Sequence, residues 1–102
     1  MKTRLELHEE LCGLLGSRHV YFQPPESLKL EYPCFVYSRS TDFVHRANNK
    51  PYLYEHNYQL MYITDNPETE MPIRVLRRFQ KCRTGEPFVS DNLNHFPFNI
   101  YY

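Results

Sequence analysis

The stretch YLYEHNYQLMYITD, residues 52–65, decides how the rest of the chain is read. It is the longest strand-like run in the sequence. Alternation divides it into Tyr54, His56, Tyr58, Leu60, Tyr62 and Thr64 on one side, and Leu53, Glu55, Asn57, Gln59, Met61 and Ile63 on the other. Successive strand side chains point to opposite faces, so this pattern separates a ring-rich face from a mixed one. The mixed face is wet in its first half and dry in its second. That gradient predicts a strand whose beginning projects beyond the core and whose end crosses it.

Upstream, STDFVHRANNKP (40–51) is polar, rich in turn formers and closed by a proline, which predicts a long hairpin loop or arm. Before it, CFVYSR (34–39) reads as a strand with Cys34 and Val36 on one face and Phe35 and Tyr37 on the other. HVYFQ (19–23) is a shorter strand, stopped by Pro24 and Pro25, which cannot donate to a ladder. Those prolines and Pro33 hold the connection between the two strands in extended form. Downstream, strands are expected around PFVS (87–90) and FPFNIYY (96–102), joined by DNLNH. Pro97 favours an edge position for the last strand.

Two segments carry helical spacing. In residues 3–15, Leu7, Leu11, Leu14 and Leu15 fall on one stripe, Thr3 with Glu6 fits a capping box, and Gly16 fits a left-handed C-cap. Residues 71–82, MPIRVLRRFQKC, read as a second helix with proline in its first turn and cations in its last. Ile73, Leu76 and Phe79 or Gln80 are expected to face inward, and Arg74, Arg77, Arg78 and Lys81 outward. The order is therefore α-β-β-β-α-β-β. The expected fold is α+β: two layers, a mostly antiparallel sheet of four to five strands, with two helices packed on one face. At 102 residues, 1–102 forms a single domain.

Composition narrows the function classes. Twelve Lys and Arg balance twelve Asp and Glu, for a formal net charge of zero. Duplex-DNA binders normally carry a basic excess, because phosphate neutralisation drives their affinity. Nine Tyr and seven Phe with no Trp are an unusual share of rings, and tyrosine is favoured at protein–protein contacts. Cys12, Cys34 and Cys82 form no CxxC pair, which points to a reducing compartment and to neither zinc nor redox chemistry. The N-terminal stretch lacks the apolar region of a signal peptide, and no run has the length of a membrane span.

Catalytic patterns are weak. HEELC (8–12) begins like a zincin motif, but Cys12 stands where the second histidine belongs and nothing nominates a third ligand. Ser90, Asp91 and His95 are triad residue types without a nucleophile elbow or an oxyanion hole, and SDNLNH reads better as a tight turn. No P-loop, GxGxxG or EF-hand pattern occurs, so neither cofactor nor metal is expected, and the chain does not read as an enzyme.

The segments HVYFQPPESLKLEYPCFVYSR, ANNKPY and DNLNHFPFNIYY resemble a family of small proteins from tailed bacteriophages. These are labelled minor capsid or tail-completion proteins and look like tail terminators, and the resemblance spans about Leu5 to Tyr101. It implies a structural virion protein of the tail or neck, made in the host bacterial cytoplasm. Such a protein forms a homo-oligomeric, hexameric ring on the last layer of the tail tube protein. The ring stops polymerisation and docks to the head-closure or connector protein. Genome DNA passes through its bore without sequence-specific binding, and no membrane is involved. A head-closure (stopper) protein is the alternative within phage assembly. A single-stranded nucleic-acid-binding module, stacking bases on Tyr and Phe, is the alternative from another class.

A ring needs two different mating patches on each subunit. The expected reach toward a neighbouring subunit or the tube is the polar arm and the wet start of the long strand. It comprises Phe43, His45, Arg46, Asn48, Asn49, Lys50, Tyr52 and Tyr54. The basic helix face of Arg74, Arg77, Arg78 and Lys81 is a second expected partner contact.

Overall fold

The computed structural model describes residues 3–40, 43–47, 50–55 and 57–102. In chain order it runs α1 (Arg4–Leu15), β1 (Val20–Phe22), β2 (Cys34–Arg39), β3 (Phe43–Ala47), β4 (Lys50–Glu55) and β5 (Asn57–Thr64). Then follow α2 (Met71–Arg78), β6 (Cys82–Thr84), β7 (Phe88–Ser90) and β8 (Leu93–Tyr101). The α+β architecture is as the sequence led us to expect, with a main sheet ordered β1-β2-β5-β8-β6 and β7 also paired to β8. Among the described residues only the β1–β2 pair is parallel.

The described residues of the long run fall in two ladders. β5 lies between β2 and β8, paired antiparallel from Cys34↔Ile63 to Arg39↔Tyr58 on one side and from Asn57↔Tyr101 to Thr64↔Asn94 on the other. β4 instead pairs with β3 in a separate two-stranded ladder, from Phe43↔Glu55 to Ala47↔Lys50, with a bulge between His45 and Arg46. Of the 40–51 segment, residues 43–47 and 50–51 thus belong to a two-stranded ladder, and Thr41, Asp42, Asn48 and Asn49 lie outside the described residues. The main ladder closes where Ser40 N–H donates to the Asn57 carbonyl at 2.8 Å.

Alternation decides which face carries the core. Phe35 and Tyr37 of β2, Tyr58, Leu60 and Tyr62 of β5, and Phe98 and Ile100 of β8 are all buried and form one cluster. Leu7 and Leu11 of α1 and Met71 and Val75 of α2 join that cluster, so both helices cover the same face. The helix N-terminus is held as the capping pattern implied, with Thr3 Oγ1 accepting from Glu6 N–H at 3.3 Å. Gly16 closes α1 at φ 82°, a conformation that disfavours any residue with a Cβ.

The helix α2 differs from expectation in length and phase. It ends at Arg78, and Cys82 already belongs to β6. Met71, Val75 and Phe79 are buried, whereas Ile73 and Leu76 are 53% and 42% exposed. Turning Ile73 and Leu76 inward would rotate the helix by about a third of a turn. That rotation would carry Arg78 away from Glu10 of α1, with which it ion-pairs.

The last strand also differs. β8 is interior, not an edge, because β6 and β7 run along its far side at Thr84↔Phe98 and Phe88↔His95. Pro97 is accommodated because its own carbonyl accepts from Gly85 N–H at 2.8 Å. The nitrogen of a strand residue points the same way as its carbonyl. The missing donor therefore faces Gly85, just past the end of β6, so only the reciprocal bond of that one pair is forgone. Gly85 is required there: a Cβ would stand 2.9 Å from Pro97 Cγ.

Candidate functional site

The zincin-like residues of α1 belong to the core. Cys12 is buried, and His8 lies half-buried with Nδ1 2.8 Å from the Tyr37 hydroxyl. Arg4 donates to the same hydroxyl at 3.2 Å, and its guanidinium lies 4.4 Å from the centre of the Phe22 ring. With Arg4 donating to Tyr37, the tyrosine proton is free to go to His8 Nδ1. Burial first, and the Arg4 charge second, lower the His8 pKa and favour the neutral imidazole that this bond needs. Among the described residues no group of three or more His, Cys, Asp and Glu is placed to hold a metal ion.

The triad residue types are separated by a turn. Asp91 and Asn92 both have positive φ, 54° and 62°, and join β7 to β8 with Ser90 opposite Leu93. This is the two-residue hairpin for which Asp and Asn are favoured. His95 stacks on Phe88 at 4.8 Å, nearly parallel, with Nδ1 3.0 Å from the Leu93 carbonyl. The contacts of His95 are thus to Phe88 and to the Leu93 backbone.

Surfaces are therefore the better candidates. Of the expected arm contacts, Phe43, His45 and Arg46 lie on β3, and Lys50, Tyr52 and Tyr54 on β4. His45 is registered opposite Leu53, and Arg46 opposite Pro51 across the bulge. Asn48 and Asn49 lie outside the described residues. Arg74, Arg77 and Arg78 are exposed on α2 as their helical spacing implied; Lys81 is exposed too, but α2 ends at Arg78, so it lies beyond the helix, just before β6. Arg78 is occupied within the chain by Glu10, so it ties α2 to α1 rather than standing ready for a partner.

The sequence did not single out the uncovered sheet face. Opposite the helices, Val36, Ser38, Gln59, Met61, Pro97 and Asn99 line a shallow cavity of about 590 Å³, with Arg83 and Gly85 at its β6 side. The signal was present in the alternation of β5, whose odd positions include Gln59 and Met61. Deciding that this face stays open needed the knowledge that both helices choose the other.

Against known proteins, no family model, no curated protein and no solved structure matches the chain. Among the described residues no helix is long and apolar enough to cross a membrane.

Proposed function

We propose that this chain is a structural subunit of a long-tailed phage virion. It forms a ring at the head-proximal end of the tail tube, where it ends tube polymerisation and docks to the head connector. The phage assignment rests on the sequence resemblance given above. The observation that supports an assembly role is the two-stranded β3–β4 ladder, which lies in sequence between β2 and β5 and forms a sheet separate from the main one. The molecule measures 49 × 26 × 23 Å, and its Cα radius of gyration of 14.6 Å exceeds the roughly 13 Å expected of a compact chain of this length. An arm contributes little to its own core and gains stability only by finding a surface to lie on.

A stopper role one layer nearer the capsid uses the same features and is the second reading. Single-strand binding has less support. The sheet-centre rings Tyr37, Tyr58, Tyr62 and Phe98 face the helices at 4% exposure or less, leaving no stacking platform there. Electron microscopy of the purified protein, alone and with tail tubes, tests the proposal. Rings seated at one tube end support it, rings on portal complexes favour the stopper, and a solitary chain under both conditions refutes both.

A further inference from the structure

The open face of the main sheet carries a row of polar side chains in register across four strands. Ser38 of β2 stands opposite Gln59 of β5, Gln59 opposite Asn99 of β8, and Asn99 opposite Arg83 of β6. Neighbouring strands lie about 4.8 Å apart, so the row runs about 14 Å across the sheet. Beside it lies a dry row, with Val36 opposite Met61 and Met61 opposite Pro97. Both rows line the shallow cavity of about 590 Å³.

Two groups in the polar row have no partner within the chain. The Oδ1 of Asn99 is buried and accepts no hydrogen bond, which costs stability until a donor is supplied. Gln59 and Arg83 flank it from the neighbouring strands and are exposed, so swinging either aside opens that oxygen to an incoming N–H. Among the described residues Arg83 forms no ion pair, and it is the one charged residue lining the cavity. Glu86 follows Gly85 but does not line it. Asp65 and Asp91 lie past the Thr64–Asn94 end of the sheet, about 17 Å along the strands from Gln59 and Asn99. Glu68 and Glu70 lead into α2, on the covered face.

Chemistry and shape together select an occupant. A guanidinium is matched by a carboxylate, and the amides of Gln59 and Asn99 both donate and accept, as a peptide backbone does. Val36, Met61 and Pro97 offer an apolar side chain a dry seat. With Gln59 and Arg83 exposed, the face is a shelf, whereas small-molecule sites bury most of their ligand. A second copy of the same face would bring no carboxylate from its described lining residues.

We infer that this face binds an extended, acidic peptide segment of another protein. Its carboxylate pairs with Arg83, and its backbone exchanges hydrogen bonds with Gln59 and Asn99. The polar and dry rows are two residues apart along each strand, about 6.6 Å, which is also the spacing of alternate side chains in an extended peptide. The acid at Arg83 therefore puts the side chain two positions away over Met61 and Pro97, and the segment recognised reads acid–any–apolar. The inference goes beyond the assembly reading above and does not depend on it.

A displayed library of random peptides, about twelve residues long, is the probe. It is selected on the immobilised full chain, and enriched peptides are then titrated against free protein. They should carry Asp or Glu two positions from an apolar residue, and should shift the side-chain NH2 resonances of Gln59 and Asn99. Arg83 is exposed, so Arg83→Glu spares the core, which an unchanged unfolding midpoint verifies. That variant should weaken binding by more than about tenfold, and changing the peptide's acid to Lys should restore it. A library without enrichment, a consensus without an acid, or binding indifferent to Arg83→Glu overturns the inference. Hexanoate binding as tightly as the peptides would make this a site for free acids. Self-association lost on Arg83→Glu in sedimentation velocity would assign the face to a second copy. Either result also overturns the peptide reading, and none of these outcomes bears on the ring test.

Discussion

The Glu10 carboxylate on α1 accepts a hydrogen bond from the Tyr102 hydroxyl at the far end of the chain. Its second oxygen pairs with Arg78 of α2, so one side chain fastens both helices and the last residue together. Burial, then the bond to Glu10, push the Tyr102 phenol pKa well above its ordinary value. Since Arg78 is about half exposed, the ion pair itself is worth little, of the order of 1 kcal/mol. A double-mutant cycle of Glu10→Gln with Tyr102→Phe should give a coupling of about 0.5–2 kcal/mol in urea unfolding. Additive effects would separate the two residues.

Stability should decline on mild acidification because of His8. Its folded pKa lies below the ordinary 6.5, so the unfolded chain takes up the proton first. The contribution is complete above about pH 6.5, falls as pH drops, and levels off below the folded pKa. Arg4, Glu9, Arg18 and Tyr37 are the charged and titratable groups that bear on it. The variant His8→Gln should flatten the change in urea midpoint between pH 7 and pH 5. A slope equal to the wild type's would assign the effect to other groups.

The phase of α2 is open to direct test. Met71→Ala should cost about 2–5 kcal/mol, as for a buried large-to-small change. Ile73→Ala and Leu76→Ala should each stay within about 0.5 kcal/mol, since both residues are exposed. The reverse ranking in thermal or urea unfolding would restore the inward face first suggested by the helical spacing.

The cysteines should resist labelling. Burial raises the thiols of Cys34 and Cys82 to about 11, so thiolate is scarce at pH 8. Cys34 is fully buried, and its reaction with a disulfide reagent should wait for unfolding. Rapid labelling of the native protein at Cys34 would contradict this.

Removing the arm should separate folding from assembly. The main ladder closes at Ser40 and Asn57, so deletion of residues 43–49 leaves in place the core cluster formed among the described residues. The product should unfold cooperatively near the wild-type temperature yet form no rings in the electron microscope. Rings of ordinary size from this deletion would show that the arm is dispensable.

Several elements were legible in the residues themselves. The α1 cap at Thr3, the Gly16 stop and the alternation of Tyr58, Leu60 and Tyr62 are local patterns, set by backbone geometry over a few positions. The tight Asp91–Asn92 turn could be anticipated for the same reason. The candidate surfaces were legible only in part: the arm and the Arg74–Arg77 face announced themselves, whereas the open sheet face did not.

What local pattern leaves undetermined is which of two acceptable arrangements long-range contact selects. The phase of α2 follows from burying Met71, Val75 and Phe79 against the Tyr58, Phe98 and Leu7 cluster, residues distant in the chain, and the Arg78–Glu10 pair accompanies it. The interior place of β8 depends on a break in its neighbour opposite Pro97, a coincidence of two segments that neither records alone. The sequence by itself determined α1 and the longer strands with their alternating sides, but neither β6 nor the inward face of α2. Only the tertiary structure decided that both helices cover the Tyr58–Leu60–Tyr62 side, since on the other side Cys34 and Ile63 are buried while Gln59 stays exposed.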